Sequence, residues 1–145
     1  MYKKQQLLAE TVGKRMLLDD HASRSLGIQL IEIGPGFATM KMQVRSSMLN
    51  GLKVCHGGFI TTLADSALAF ASNSENRLTL AATLNIELIA PANLDDVLIA
   101  NSKKVFDKGK AGYYTARVIN QHDEVIALLN GRTHTLRDRS VIDPE

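Results

Sequence analysis

The sequence predicts an α+β domain, with an antiparallel sheet of about six strands packed around one long central helix. Three observations carry this expectation. Apolar and polar side chains alternate over 37–45, the helical run from Gly57 to Ser74 holds a single ionisable residue, and strand-like segments joined by short turns follow it. Short turns connect antiparallel neighbours, whereas parallel strands need long crossovers. One helix covering one face of such a sheet is an α+β arrangement.

Residues 1–25 read as helical, with Leu7, Leu8, Val12, Met16 and Leu17 on one side. Strands over 28–33 and 37–45 pair across the Gly34-Pro35-Gly36 turn. In the second, Ala38, Met40, Met42 and Val44 share one face, and Thr39, Lys41, Gln43 and Arg45 share the other. A loop over 45–56 leads into the helix. Beyond it, Leu84, Ile86 and Leu88 alternate with Thr83, Asn85 and Glu87, and that strand ends near Pro91. Segments 97–106, 112–120 and 125–135 complete the sheet, with turns at 107–110 and 121–124. The polar tail over 137–145 is expected to fray. Residues 1–145 read as one domain with no repeat, linker or low-complexity stretch.

Composition narrows the classes. A chain of 145 residues can bury a real core, and 45% hydrophobic with 22% charged residues is ordinary for a globular protein. With no Trp, four Phe and three Tyr, aliphatic side chains must fill the interior. A net charge of +2 is too weak for a nucleic-acid binder. The first thirty residues lack an apolar run of signal-peptide length, and the helix after Gly57 is too short and too rich in Thr and Ser to span a bilayer. One Cys excludes an intramolecular disulfide and suits a reducing compartment. The expectation is a cytoplasmic protein without membrane or nucleic-acid partners.

The chemistry concentrates between Asn50 and Asn73. Phe59, Ile60, Leu63, Ala64, Ala67, Leu68, Phe70 and Ala71 form a broad apolar helix face. The other side carries Gly58, Thr61, Thr62, Asp65, Ser66, Ala69 and Ser72, small residues apart from Asp65, and lacks the charges of a solvated face. A carboxylate there is costly unless paired or employed. Asp65 is either an acid, base or nucleophile, or a side chain solvated or paired with a distant Arg. The Gly57 and Gly58 N–H groups at the helix start could stabilise a developing negative charge.

Asn50-Gly51, His56-Gly57-Gly58, and Asp65 eight residues after Gly57, followed by the strand running to Pro91, resemble the hotdog-fold acyl-CoA thioesterases, in particular their phenylacetate-degradation branch. The similarity runs from Leu26 to His134. It implies a curved sheet wrapped around the helix, homodimers joined sheet edge to sheet edge, active sites at that interface, and dimers paired into tetramers. It assigns the acidic catalyst, as general base or nucleophile, to Asp65 and the oxyanion N–H to Gly57. His56 becomes the histidine shaping the turn, and Asn50 the side chain positioning water or the carboxylate. The substrate is an acyl-CoA, aryl, arylacetyl or medium-chain, so coenzyme A is substrate and no separate cofactor is implied. A serine of some relatives falls, counted from Pro91, on Ala81, and Thr83 is the substitute candidate.

Lys103, Lys104, Lys108 and Lys110 surround one hairpin with Gly109 at its tip. They form either a solvated turn or a basic edge for coenzyme A phosphates. Lys108, Gly109 and Lys110 are the residues named for that contact, with Arg132, Arg137 and Arg139 as further candidates. Cys55 and His56 are adjacent in an extended stretch and point apart, so a Cys–His nucleophile is not expected. His21, His56, His122 and His134 lack metal-ligand spacing, and no metal site is predicted. Two rival functions remain, a hotdog dehydratase or hydratase using His56 with Asp65, and a non-catalytic acyl-CoA sensor.

Overall fold

The computed structural model describes residues 1–144. Helices α1 (Tyr2–Asp19) and α2 (His21–Ser25) precede the hairpin of β1 (Gln29–Gly34) and β2 (Phe37–Gln43). The long helix α3 (Gly57–Asn73) follows, and then β3 (Thr79–Leu88), β4 (Val97–Lys108), β5 (Ala111–Ile119) and β6 (Val125–Thr135). The strands form one antiparallel sheet in the order β1-β2-β4-β5-β6-β3. The β1–β2 turn places Gly36 at φ 78° after Pro35, as a turn with Pro second and Gly third requires.

The alternation in β2 has its predicted outcome. Ala38, Met40, Met42 and Val44 are buried and meet α3, whose Leu63, Leu68 and Phe70 are fully enclosed. Leu98, Val118, Ile126 and Leu129 close the core from β4, β5 and β6. Each such side chain contributes about 1.5–3 kcal/mol through removal of its surface from water. Truncating Phe70 to Ala would cost about 3–5 kcal/mol.

The sheet's two edges differ. α1 lies over β1, with Gln6 Nε2 donating to the Ile33 carbonyl at 2.8 Å. A Cβ on Gly13 would stand 2.9 Å from Leu30 Cδ2, so the glycine permits that close approach. Among the described residues β3 has β6 on one side and no strand on the other. Leu80, Leu84, Leu88 and Ile89 along it are exposed. A long apolar edge of this kind is a template for pairing with another chain.

Four expectations need correction. The 1–25 helix is two helices, because the Asp20 carboxylate accepts the Ser23 N–H at 2.9 Å and starts α2. Leu7 is 64% exposed; Val12 is buried as expected, and Ala9 and Gly13 join it on the face against the sheet. The strand expected to reach Pro91 runs over Thr79–Leu88, with its register shifted between Ala81 and Thr83. The tail does not fray over its described length. Asn76 Oδ1 accepts the Val141 and Ile142 N–H groups, and Leu78 N–H donates to the Arg139 carbonyl. Glu145 lies outside the described residues.

Candidate active site

The chain enters α3 through a loop pinned at both ends. His56 N–H donates to the Met48 carbonyl at 2.8 Å, and Cys55 N–H donates to the Ala92 carbonyl at 2.8 Å. Inside the loop, Asn50 Oδ1 accepts the Leu52 and Val54 N–H groups at 2.9 and 3.3 Å. Two backbone donors fix the orientation of that amide. Its oxygen is thus committed to the loop, and its NH₂ is the end left to act on a ligand.

His56 is the N-cap of α3. Its Nδ1 accepts the Gly58 N–H at 3.1 Å, while Phe59 N–H donates to the His56 carbonyl at 3.0 Å. Among the described residues no acceptor takes the Gly57 N–H. An unoccupied donor at a helix start lies in the positive end of the helix dipole. A Cβ on Gly57 would stand 2.6 Å from Leu88 Cδ1, so a side chain there would displace that leucine. Asn50, Gly57, Ile60 and Leu88 to Pro91 line one groove of about 280 Å³.

Asp65 sits two turns further along, half-buried. Burial raises its pKa above the usual carboxylate value, and the Asp20 carboxylate raises it further. A carboxyl with increased proton affinity is a better base near neutral pH. Eight residues at 1.5 Å each put Asp65 about 12 Å along the helix from Gly57. That is too far for both to act on one carbonyl within a single chain. Thr61 and Thr62 bond back to the Gly57 and Gly58 carbonyls at 2.8 and 2.9 Å.

Other predicted residues lie elsewhere. Leu84 Cδ2 and Leu68 Cδ1 both approach the Cβ position of Gly131, which fixes Leu84 on the α3 side of β3. Neighbouring residues alternate, so Thr83 faces the outer side, in a groove with Asn85, Tyr113, Asn130 and Arg132. The structure does not bring Thr83 to Asp65. Lys108, Gly109 and Lys110 form the exposed β4–β5 turn, with Gly109 at φ 61°. Lys104, beside that hairpin, bonds Glu75 just past the C-terminal end of α3, so the hairpin lies far from Gly57 in its own chain. Lys104 also pairs with Asp107 at 3.1 Å, which leaves Lys103, Lys108 and Lys110 as the uncommitted cations there.

Cys55 is buried, its thiol pKa pushed up by desolvation, and Sγ points to the His56 carbonyl. It is a structural thiol. No group of three His, Cys, Asp or Glu among the described residues could hold a metal. No helix of the described residues is long and apolar enough to cross a membrane. Sequence reasoning missed Asp20 and Leu88. An Asp three residues before a Ser, the spacing of a helix N-cap, was the available signal for the first.

A model of the family described as "Thioesterase superfamily" matches residues 52–127, which include His56, Gly57 and Asp65. The chain belongs to the thioesterase superfamily. It is a thioester hydrolase with the hotdog fold. Acyl-coenzyme A thioesterase PaaI of Escherichia coli is 34% identical over 121 residues, covering 83% of this chain and 86% of that protein. A putative esterase of Archaeoglobus fulgidus is 35% identical over 136 residues, covering 94% and 88%. The structure of the E. coli PaaI protein, from the phenylacetic acid degradation operon, superposes with a TM-score of 0.89 at 32% identity, over 90% of this chain and 95% of that one.

Proposed function

We propose that this thioesterase hydrolyses acyl-CoA thioesters, with Asp65 as general base and the Gly57 N–H as oxyanion donor. The observation that carries the proposal is the vacant Gly57 N–H at the start of a helix whose only carboxylate is the half-buried Asp65. Asp65 takes a proton from water as its oxygen attacks the thioester carbonyl. The carbonyl oxygen becomes an oxyanion held by the Gly57 N–H and the helix dipole, while the Asn50 NH₂ positions the attacking water or the carboxylate. Collapse breaks the C–S bond, and the proton on Asp65 passes to the leaving thiolate. The products are free coenzyme A and a carboxylic acid, which ionises to the carboxylate by releasing its proton to solvent. His56 serves by capping: with Nδ1 on Gly58, it keeps that N–H occupied and orients Gly57.

The protein acts as a homodimer in which β3 pairs with the partner's β3, extending one continuous sheet. The bare edge and the 12 Å between Gly57 and Asp65 support this arrangement. Antiparallel helices side by side would put Gly57 of one subunit near Asp65 of the other. They would also bring the Lys108–Lys110 turn of one subunit toward the Asn50 end of its partner, where it would meet coenzyme A phosphates. Two dimers associate through their outer sheet faces, where Phe106, Tyr113 and Leu128 are exposed.

The acyl group is aryl, arylacetyl or medium-chain. The origin of the E. coli PaaI protein in the phenylacetic acid degradation operon supports the arylacetyl form, and the small Ala69, Ala81 and Ala82, none of them buried, leave room for a ring. The test is a thiol-release screen over short, medium, long and aromatic acyl-CoAs, repeated with Asp65→Asn. The proposal expects the best kcat/KM with phenylacetyl or hydroxyphenylacetyl thioesters and a loss of about 10² or more in the variant. Wild-type turnover by Asp65→Asn would remove Asp65 from the chemistry.

A further inference from the structure

We propose that Asp20 is a positioning residue of the active site, a second carboxylate that the Asp20–Ser23–Ser66 hydrogen-bond chain ties to the helix turn carrying Asp65. The inference rests on Asp65 being the base. Asp20 lies outside the segment matched by the family model and on a different element from every residue assigned above.

The geometry is a short relay from the N-terminal segment to α3. Asp20 Oδ1 accepts the Ser23 N–H at 2.9 Å, and Oδ2 accepts the Ser23 hydroxyl at 2.7 Å. Both carboxylate oxygens are therefore engaged by one residue, which fixes the plane of the group. The Ser23 and Ser66 hydroxyls meet at 2.9 Å, and both residues are buried. With Ser23 Oγ donating to Asp20, the Ser66 hydroxyl donates to Ser23. Ser66 is the residue after Asp65, so the contact places the α2 cap against the turn that carries the base.

Two donors, the Ser23 N–H and hydroxyl, satisfy the Asp20 carboxylate. Its negative charge disfavours ionisation of Asp65 and acts in the same direction as burial. Other charged groups on the surrounding elements are occupied or turned away. On α1, Arg15 pairs with Asp19 at 3.1 Å. On α2, Arg24 bonds the Leu18 carbonyl and His21 is exposed. Arg45 after β2 bonds the Ser25 carbonyl, and Lys104 on β4 is held by Glu75 and Asp107 at the far end of α3. Glu87 on β3 and Arg132 on β6 lie on the outer side of the sheet. Among the described residues no Lys or Arg forms an ion pair with Asp20 or Asp65.

Asp20→Asn separates charge from capping, since Asn caps a helix as well as Asp. The primary readout is the ¹³C-carboxyl NMR titration of Asp65 in the full-length protein, which needs no turnover. The second is the acid limb of kcat/KM for a responsive acyl-CoA. The proposal expects both midpoints to fall to lower pH in Asp20→Asn, because a like charge acting on Asp65 is removed. The difference should shrink in high salt. Asp20→Ala, which also loses the cap, should shift the Asp65 titration in the same direction and lower the melting temperature as well. An Asp65 titration that coincides in wild type and Asp20→Asn, with the fold retained, would overturn the proposal. Failure of the general-base assignment is a separate result, since it appears as retained turnover in Asp65→Asn.

Discussion

His56 Nδ1 accepts the Gly58 N–H at 3.1 Å, and this bond decides which amide of the helix start remains for a substrate. The histidine occupies the second N–H and its own carbonyl takes the third, at Phe59. Only the first, on Gly57, is vacant where the groove opens.

Removing that N–H without breaking the helix is possible with proline. Gly57 is the first helical residue, where proline is well tolerated, and His56 has the extended φ −60°, ψ 132° that a residue before proline adopts. The new ring would meet Leu88, so Gly57→Pro is best made with Leu88→Ala and compared with Leu88→Ala alone. The expected result is a fall of about 10²–10³ in kcat, with the circular dichroism spectrum unchanged. Equal kcat in the two proteins would take the oxyanion role from Gly57.

Asp65 trades stability for proton affinity, and the sign can be worked out. Its folded pKa is raised, so the folded state binds more protons than the unfolded state between the ordinary value near 3.8 and the folded one. Stability therefore falls as pH rises through that window, and the full penalty applies above it. Asp65→Asn should melt higher than wild type at neutral pH, and the gap should close as pH approaches 3.8. A variant that melts lower at pH 7 would mean that the carboxylate is structurally paired.

The elements that sequence patterning specified are those where one face meets the core. β2 shows it best, since Met40 and Met42 alternate with polar neighbours and both are fully buried. Asp65 and Gly57 stood out because an uncharged helix makes a lone carboxylate conspicuous. What escaped was decided by contacts distant in sequence. Thr83 looked available as the nearby hydroxyl once counting from Pro91 gave Ala81, but the shifted register after Ala81 and the packing of Leu84 on Gly131 set it on the outer face. The tail looked free because the Asn76 amide that ties it down is some 65 residues away.

The hairpin lysines make a prediction that separates nucleotide binding from catalysis. Lys108→Ala with Lys110→Ala should raise KM for acyl-CoA, more at low salt than at high, because exposed charges are screened. The same double variant should leave kcat/KM unchanged for the corresponding N-acetylcysteamine thioester, which carries no phosphates. Equal losses on both substrates would show that the turn acts through the fold rather than on the phosphates.

Sharing of sites between subunits predicts recovery of activity from two inactive proteins. Asp65→Asn lacks the base, and Gly57→Pro with Leu88→Ala lacks the oxyanion donor. If each site combines Gly57 of one subunit with the partner's Asp65, a mixed dimer holds one intact site and one with both lesions. Unfolding and refolding at a one-to-one ratio makes about half of the dimers mixed, so about a quarter of all sites are restored, given two-fold symmetry and random pairing. Activity near a quarter of that of refolded wild type, rising and falling with the mixing ratio, is the expected outcome. A mixture as inactive as its components, although sedimentation shows dimers, would mean that each chain builds its site alone. The 12 Å between Gly57 and Asp65 along α3 would then have to be bridged within one subunit, which a straight helix does not allow.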